Sequence, residues 1–224
     1  MAASPRPARR ILPLVLLGCL FMAWVESVVR PVYVVKSAVK LLVFPGCVLG
    51  YVLLSRDRTP LSVFRRPSRR AILPAAALAC SVFAVIWGGY ALLAPWLDLS
   101  AVTGNLTAKE GITAATFPIA AVYISFVNSM LEEFFFRGFA FLSAGQRSRA
   151  VWICSALAFA LYHVSIMDGW FPPPLFLLFT AGLAVVGLLF NFLDRDGTIW
   201  PAWLVHMAAN LAINTIGMRL FGIL

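Results

Sequence analysis

The sequence predicts an all-α fold, a polytopic transmembrane helical bundle of about seven spans, six to eight at the limits. Three observations predict it. Of the 224 residues, 62% are hydrophobic, and the mean hydropathy is +0.91, too apolar for an ordinary soluble domain. Apolar runs of about 20 residues, the length that crosses a bilayer as a helix, recur along the whole chain. The charges lie mostly between these runs, with a net charge of +9. That excess would also suit nucleic acid, but arginines clustered in short links are explained by positive-inside topology. No polar stretch is long enough for a second domain. Residues 1–224 therefore form one integral membrane domain, with less specific N-terminal spans over 11–93 and a motif-bearing core over about 112–216.

The first element follows Arg6, Arg9 and Arg10 and runs apolar from Ile11 to Val25. Leu16-Leu17-Gly18-Cys19 faintly resembles a lipoprotein cleavage box, but a multi-span chain favours an uncleaved helix. The second span, about Ala38 to Leu54, comes after Arg30, Lys36 and Lys40. The link Ser55–Arg70 holds six arginines and one aspartate. It is expected on the cytoplasmic side, as is the N-terminus, which makes the first two spans a hairpin. The third span is about Ala71 to Leu93. The link Pro95–Gly111, with Asp98, Lys109 and Glu110 as its charges, reads as an outer loop.

The fourth span begins near Ile112 and runs into a glutamate pair, and Arg147 and Arg149 follow it. The fifth is about Ala150 to Met167, the sixth Leu175 to Leu193 and the seventh Ile199 to Ile216. Asp168–Pro174, with three consecutive prolines, is expected to be a stiff outer turn, and Asp194–Gly197 a tight one. Gly182 and Gly187 in the sixth span are small enough to let a neighbouring helix come close. The four cysteines have no paired spacing and read as small buried hydrophobes.

Leu131–Gly138, read as Leu-Glu-Glu-Phe-Phe-Phe-Arg-Gly, is the stretch that carries chemistry. Ionised groups cost about 2.5 to 3.5 kcal/mol each in a membrane helix, so three of them there need a reason. Glu133 and Arg137 are four residues apart, the spacing of a structural ion pair on one helix face. That pair explains two charges and leaves Glu132, about 100° further round, without a partner. The chain's two histidines, His163 and His206, lie in later spans, and His206 and Asn210 project together from one face. Polar groups from three helices converging in a bundle are how a buried reaction site is built.

At these residues the sequence resembles the CAAX-processing and bacteriocin-processing intramembrane proteases, the CPBP or Abi family. The resemblance rests on Glu132-Glu133-x-x-x-Arg137, Phe159-x-x-x-His163 and His206-x-x-x-Asn210, in that order and each in an apolar span. Phe179-x-x-Gly182 and the run Gly197–Pro201 add to it. It covers Met130 to Asn214, whereas the earlier spans match only in being hydrophobic. It implies hydrolysis of a peptide bond in a membrane-anchored protein or peptide.

The residues agree with that chemistry. No aspartate lies within an expected span, no Cys–His pairing is indicated, and there is no His-Glu-x-x-His. A carboxylate and a histidine remain to activate water. Glu132 with His163 are the choice, in line with the resemblance, with Glu133 and Arg137 as structural support. His206 and the amide of Asn210 can donate to the oxyanion, worth about 3 to 4 kcal/mol per donor. Glu132, His163 and His206 are equally the ligand set of a catalytic zinc site with an open position for water, and the sequence leaves both mechanisms open. Depth poses a difficulty. At 1.5 Å per residue, His163 lies about 20 Å and His206 about 10 Å from the cytoplasmic ends of their helices. Either a span limit shifts by a turn or the fourth helix breaks near Met130.

Two other functions compete. A non-catalytic membrane scaffold or bacteriocin-immunity protein would keep the polar cluster for packing alone. A transporter would use buried charges as an ion path, but the chain has no paired interrupted helices in similar halves. Fifteen arginines against three lysines point to a GC-rich bacterial genome. The expected location is therefore a bacterial inner membrane, with the lipid bilayer and an unprenylated substrate as partners and no nucleic acid.

Overall fold

The computed structural model describes residues 6–96, 99–167 and 171–224, and every regular element among them is helical. Helix α1 (Arg6–Trp24) ends in a π turn, Val25–Val29. Arg30, in the left-handed region at φ 50°, then reverses the chain. Helix α2 (Tyr33–Ser55) leads to a short 3₁₀ helix, Thr59–Phe64. Helix α3 (Arg69–Leu93) is capped by Ser68, whose hydroxyl accepts from the Ala71 N–H at 3.2 Å. Helix α4 (Ser100–Ala108) follows.

The fourth span is one continuous helix, Phe117–Ser143. It alternates α5 (Phe117–Val122), a π stretch at Tyr123–Asn128, α6 (Ser129–Glu133) and a second π stretch at Phe134–Ser143. Helices α7 (Arg149–Ile166), α8 (Pro173–Asp194) and α9 (Trp200–Leu220) complete the chain.

The fourth span is the axis of the bundle. Helices α1, α2, α7, α8 and α9 and the 3₁₀ helix all pack on it, while α3 packs chiefly on α9. Between helices in lipid the attraction is close packing rather than exclusion of water, and aromatic rings supply it here. Phe44 of α2 stacks on Phe135 at 3.9 Å between centroids, and Phe136, Phe159 and Tyr162 close around them. The large apolar side chains left exposed, such as Leu42, Leu54, Leu92 and Leu177, line the outer faces of the spans.

Six helices are long and apolar enough to cross a membrane. The seventh long helix, α9, is not among them because His206, Asn210 and Asn214 reduce its hydropathy, yet it packs within the bundle. Other expectations shift. Lys36 and Lys40 lie inside α2 and are buried, not ahead of it. The expected outer loop Pro95–Gly111 contains α4; Asp98 lies outside the described residues, as do Asp168, Gly169 and Trp170 of the expected turn before α8, which begins at Pro173. Cys80 and Cys154 are exposed on the bundle surface, and Cys19 and Cys47 are half-buried. Gly187 does admit its neighbour, since a Cβ there would sit 2.9 Å from the Ala156 Cα. Around Gly182 there is open space.

Contacts between links tie together the two ends of the bundle. The Arg65 guanidinium donates to the Asp196 carbonyl, and the Thr198 hydroxyl donates to the Arg65 carbonyl at 2.8 Å. The Ile199 N–H donates to the Val63 carbonyl at 3.2 Å. Ser55–Arg70 and Asp194–Gly197 therefore share one end. At the other, Lys36 stands between Glu26 at 2.5 Å and Glu110 at 2.6 Å. Just past α2, Asp57 accepts from the Tyr51 hydroxyl at 2.7 Å and the Thr59 N–H at 2.9 Å. Burial pushes its carboxyl up, but the bonds from Thr59 and Tyr51 outweigh that and hold it below the usual carboxylate range.

Candidate active site

Five charged or titratable side chains from three helices, the fourth span, α7 and α9, meet in the bundle. Glu132 and Glu133, in the short α6 between the two π stretches, are 2% and 0% exposed. The Glu133 Oε1 lies 2.7 Å from the Nδ1 of His206, and its Oε2 is 3.2 Å from the Arg137 Nε, off the direction of a hydrogen bond. The Arg137 guanidinium also lies over the rings of Phe159 and Phe190, at 4.1 and 4.9 Å. The Glu132 Oε2 faces the Nε2 atoms of His163 and His206, at 3.7 and 3.8 Å. His206 is thus held between two carboxylates, one at each ring nitrogen.

The ring nitrogens have assigned tasks. The Nδ1 of His163 is 2.7 Å from the Phe159 carbonyl, which accepts only from a protonated nitrogen, so a neutral His163 presents an unprotonated Nε2 to Glu132. Glu133 fixes the Nδ1 proton of His206 in the same way. Two histidines oriented by partners behind them, around one carboxylate oxygen, form an acid–base arrangement. The Glu132 Oε2 has no hydrogen-bond donor of its own among the described residues.

The structure thus brings together Glu132, His163 and His206, with Glu133 and Arg137 behind them. Asn210 makes its contact elsewhere: its amide donates to the Ile124 carbonyl, 3.1 Å away in the first π stretch. The helix does not break near Met130. Its winding is looser on both sides of α6, where the i→i+5 pattern adds a residue to the turn, a feature common at functional sites. The three groups meet without such a break: His163 and His206 both face the Glu132 Oε2, and the start of α9 is covered by the 3₁₀ helix, with Thr198 and Ile199 2% and 0% exposed.

Three groups escape the sequence reading. Lys40 corrects the expectation that Glu132 is unpaired: its Nζ lies 2.8 Å from the Glu132 Oε1 and 2.7 Å from the Asn128 Oδ1. Asn128 donates to the same Oε1 at 3.0 Å. Its spacing of four residues from Glu132 was a signal that could have been read. Lys40 gave none, since a lysine near the start of an apolar run reads as a flank. Asp194, expected in a turn, is fully buried and accepts from the Ala202 N–H at 2.9 Å, in the first turn of α9.

For a metal, the donor set Glu132, His163 and His206 is chemically suited. One observation speaks against the fit. The Lys40 ammonium already sits on the Glu132 carboxylate, where it would repel a divalent cation.

The bundle and this cluster define an integral membrane protein whose buried carboxylates and histidines are arranged for acid–base chemistry. Residues 114–212 match the family model described as type II CAAX prenyl endopeptidase Rce1-like. The matched segment carries both glutamates and both histidines, and its similarity to that family agrees with the motif resemblance. No curated protein and no solved structure matches the chain.

Proposed function

We propose that the protein is an intramembrane endopeptidase that hydrolyses a peptide bond of a membrane-associated substrate by a metal-free, glutamate-dependent route. The observation that carries this reading is the Glu132 Oε2, without a donor and 3.7 and 3.8 Å from two imidazole nitrogens. Such gaps are too long for direct hydrogen bonds and suit a shared water. Glu132 takes a proton from that water while His163 Nε2 orients it, and the oxygen attacks the scissile carbonyl carbon. The developing oxyanion accepts from His206 Nε2–H and from the second amide hydrogen of Asn210. For this role the His206 ring carries both protons, since Nδ1 is engaged by Glu133. The proton on Glu132 then passes to the leaving nitrogen as the C–N bond breaks, giving a carboxylic acid and an amine, and the acid's proton then passes to the amine to leave a carboxylate and an ammonium. General acid–base help of this kind is worth about 10² to 10⁴ in rate.

The arginine-rich N-terminus and Ser55–Arg70 link support a cytoplasmic N-terminus, and the arginine excess supports a bacterial inner membrane. The test compares new protein N-termini in membranes from cells making the wild type or Glu132→Gln, His163→Ala or His206→Ala, all accumulating equally. Membrane-anchored proteins cut only with the wild type are expected. Identical sets of termini would leave the polar cluster as a packing feature of a scaffold.

A further inference from the structure

We infer that Lys40, on α2 and outside the family match, is a positioning residue of the hydrolytic site that locks the Glu132 carboxylate in its working rotation; this rests on the reading of Glu132 as the base. The two oxygens of Glu132 are treated differently. Oε1 receives both the Lys40 ammonium, at 2.8 Å, and the Asn128 amide, at 3.0 Å. Oε2 receives neither and is the oxygen turned to the histidines. Lys40 and Asn128 also bond each other at 2.7 Å. The three side chains form a closed ring around Oε1, and a carboxylate pinned at one oxygen by two donors has no freedom to turn the other away.

The lysine is itself held in place. Its residue is 7% exposed, and the ammonium lies 4.8 Å from the centre of the Tyr162 ring, one residue before His163. Lys36, four residues earlier on α2, differs: two carboxylates, Glu26 and Glu110, neutralise it, and it ties the end of the bundle together. Lys40 faces a single carboxylate, and that carboxylate faces both histidines. Electrostatically, a fixed cation on Oε1 holds the anionic base in a low-dielectric site. The Rce1-like segment alone is therefore an incomplete site, and the N-terminal hairpin completes it.

The probe is an internally quenched peptide built on a bond mapped by the comparison of new N-termini. If no such bond exists, or Glu132→Gln turns the peptide over, the reading of Glu132 as base fails, whatever Lys40 does. With that reading standing, Lys40→Met should lower kcat per folded molecule at least 100-fold with KM within threefold, because Lys40 lies behind Glu132 relative to the histidines. Lys40→Arg, which returns the charge, should recover at least a tenth of the wild-type kcat. Should Lys40→Met not fold, Asn128→Leu, which opens the same ring, decides: a fall in kcat of tenfold or more supports the lock. A kcat within threefold of wild type in folded Lys40→Met, or in Asn128→Leu where that variant decides, overturns it, as does a loss confined to KM.

Discussion

Replacing each glutamate of the pair by glutamine should separate their structural roles. Glu133 is fully buried and serves Arg137 and His206 together. Glu133→Gln leaves the guanidinium, 1% exposed, without its nearest anion. Breaking a buried ion pair from one side costs about 3 to 5 kcal/mol. The Phe159 and Phe190 faces at 4.1 and 4.9 Å remain and return part of this, so about 3 kcal/mol is expected. For a chain of this size that is a melting temperature roughly 6 to 12 °C lower. Glu132→Gln leaves Lys40 with the Asn128 oxygen at 2.7 Å, the new amide oxygen and the Tyr162 ring. Lys40 loses its one carboxylate but keeps these oxygens and the ring, so the loss is that of a charge-assisted bond, about 1.5 to 2.5 kcal/mol or roughly 3 to 10 °C, still below that of Glu133→Gln. The assay is thermal unfolding of the purified variants in detergent. Glu132→Gln as the less stable of the two, or Glu133→Gln melting with the wild type, would refute the division.

Three further outcomes are expected. Reporter fusions after Arg70 should be active only as cytoplasmic fusions, given nine arginines and one acidic residue in the N-terminus and the Ser55–Arg70 link; activity only on the outer side refutes that orientation. Gly187→Val should drive α7 and α8 apart, because even a Cβ would lie 2.9 Å from the Ala156 Cα. A loss of about 1 to 3 kcal/mol by thermal unfolding is expected, whereas Gly182→Val, in open space, should be tolerated. Asp57 has a lowered folded pKa, so its stabilisation is present above the unfolded value and is lost as pH falls through the folded one. The melting-temperature gap between wild type and Asp57→Asn should therefore close on acidification from neutral pH, and a gap that widens would contradict the assignment.

By itself the sequence determined the helical bundle, most of its span limits and the polar side chains that the candidate site brings together. These are properties of local pattern: runs of bilayer length, spacings of four, and charges too costly to retain in a membrane without use. It also placed Glu133 with Arg137, since both belong to one helix face. Tertiary structure decided which oxygen of Glu132 faces the histidines, because that depends on Lys40, 92 positions earlier in the chain. The same is true of His206, whose ring is set by Glu133, 73 positions earlier. Asn210 was legible as a neighbour of His206, but its bond to the Ile124 carbonyl depends on helix-to-helix packing. The π winding around α6 has no local signature either. Spacing along one helix fixes which side chains share a face, whereas contacts between helices depend on how they pack, and no interval in the sequence encodes that.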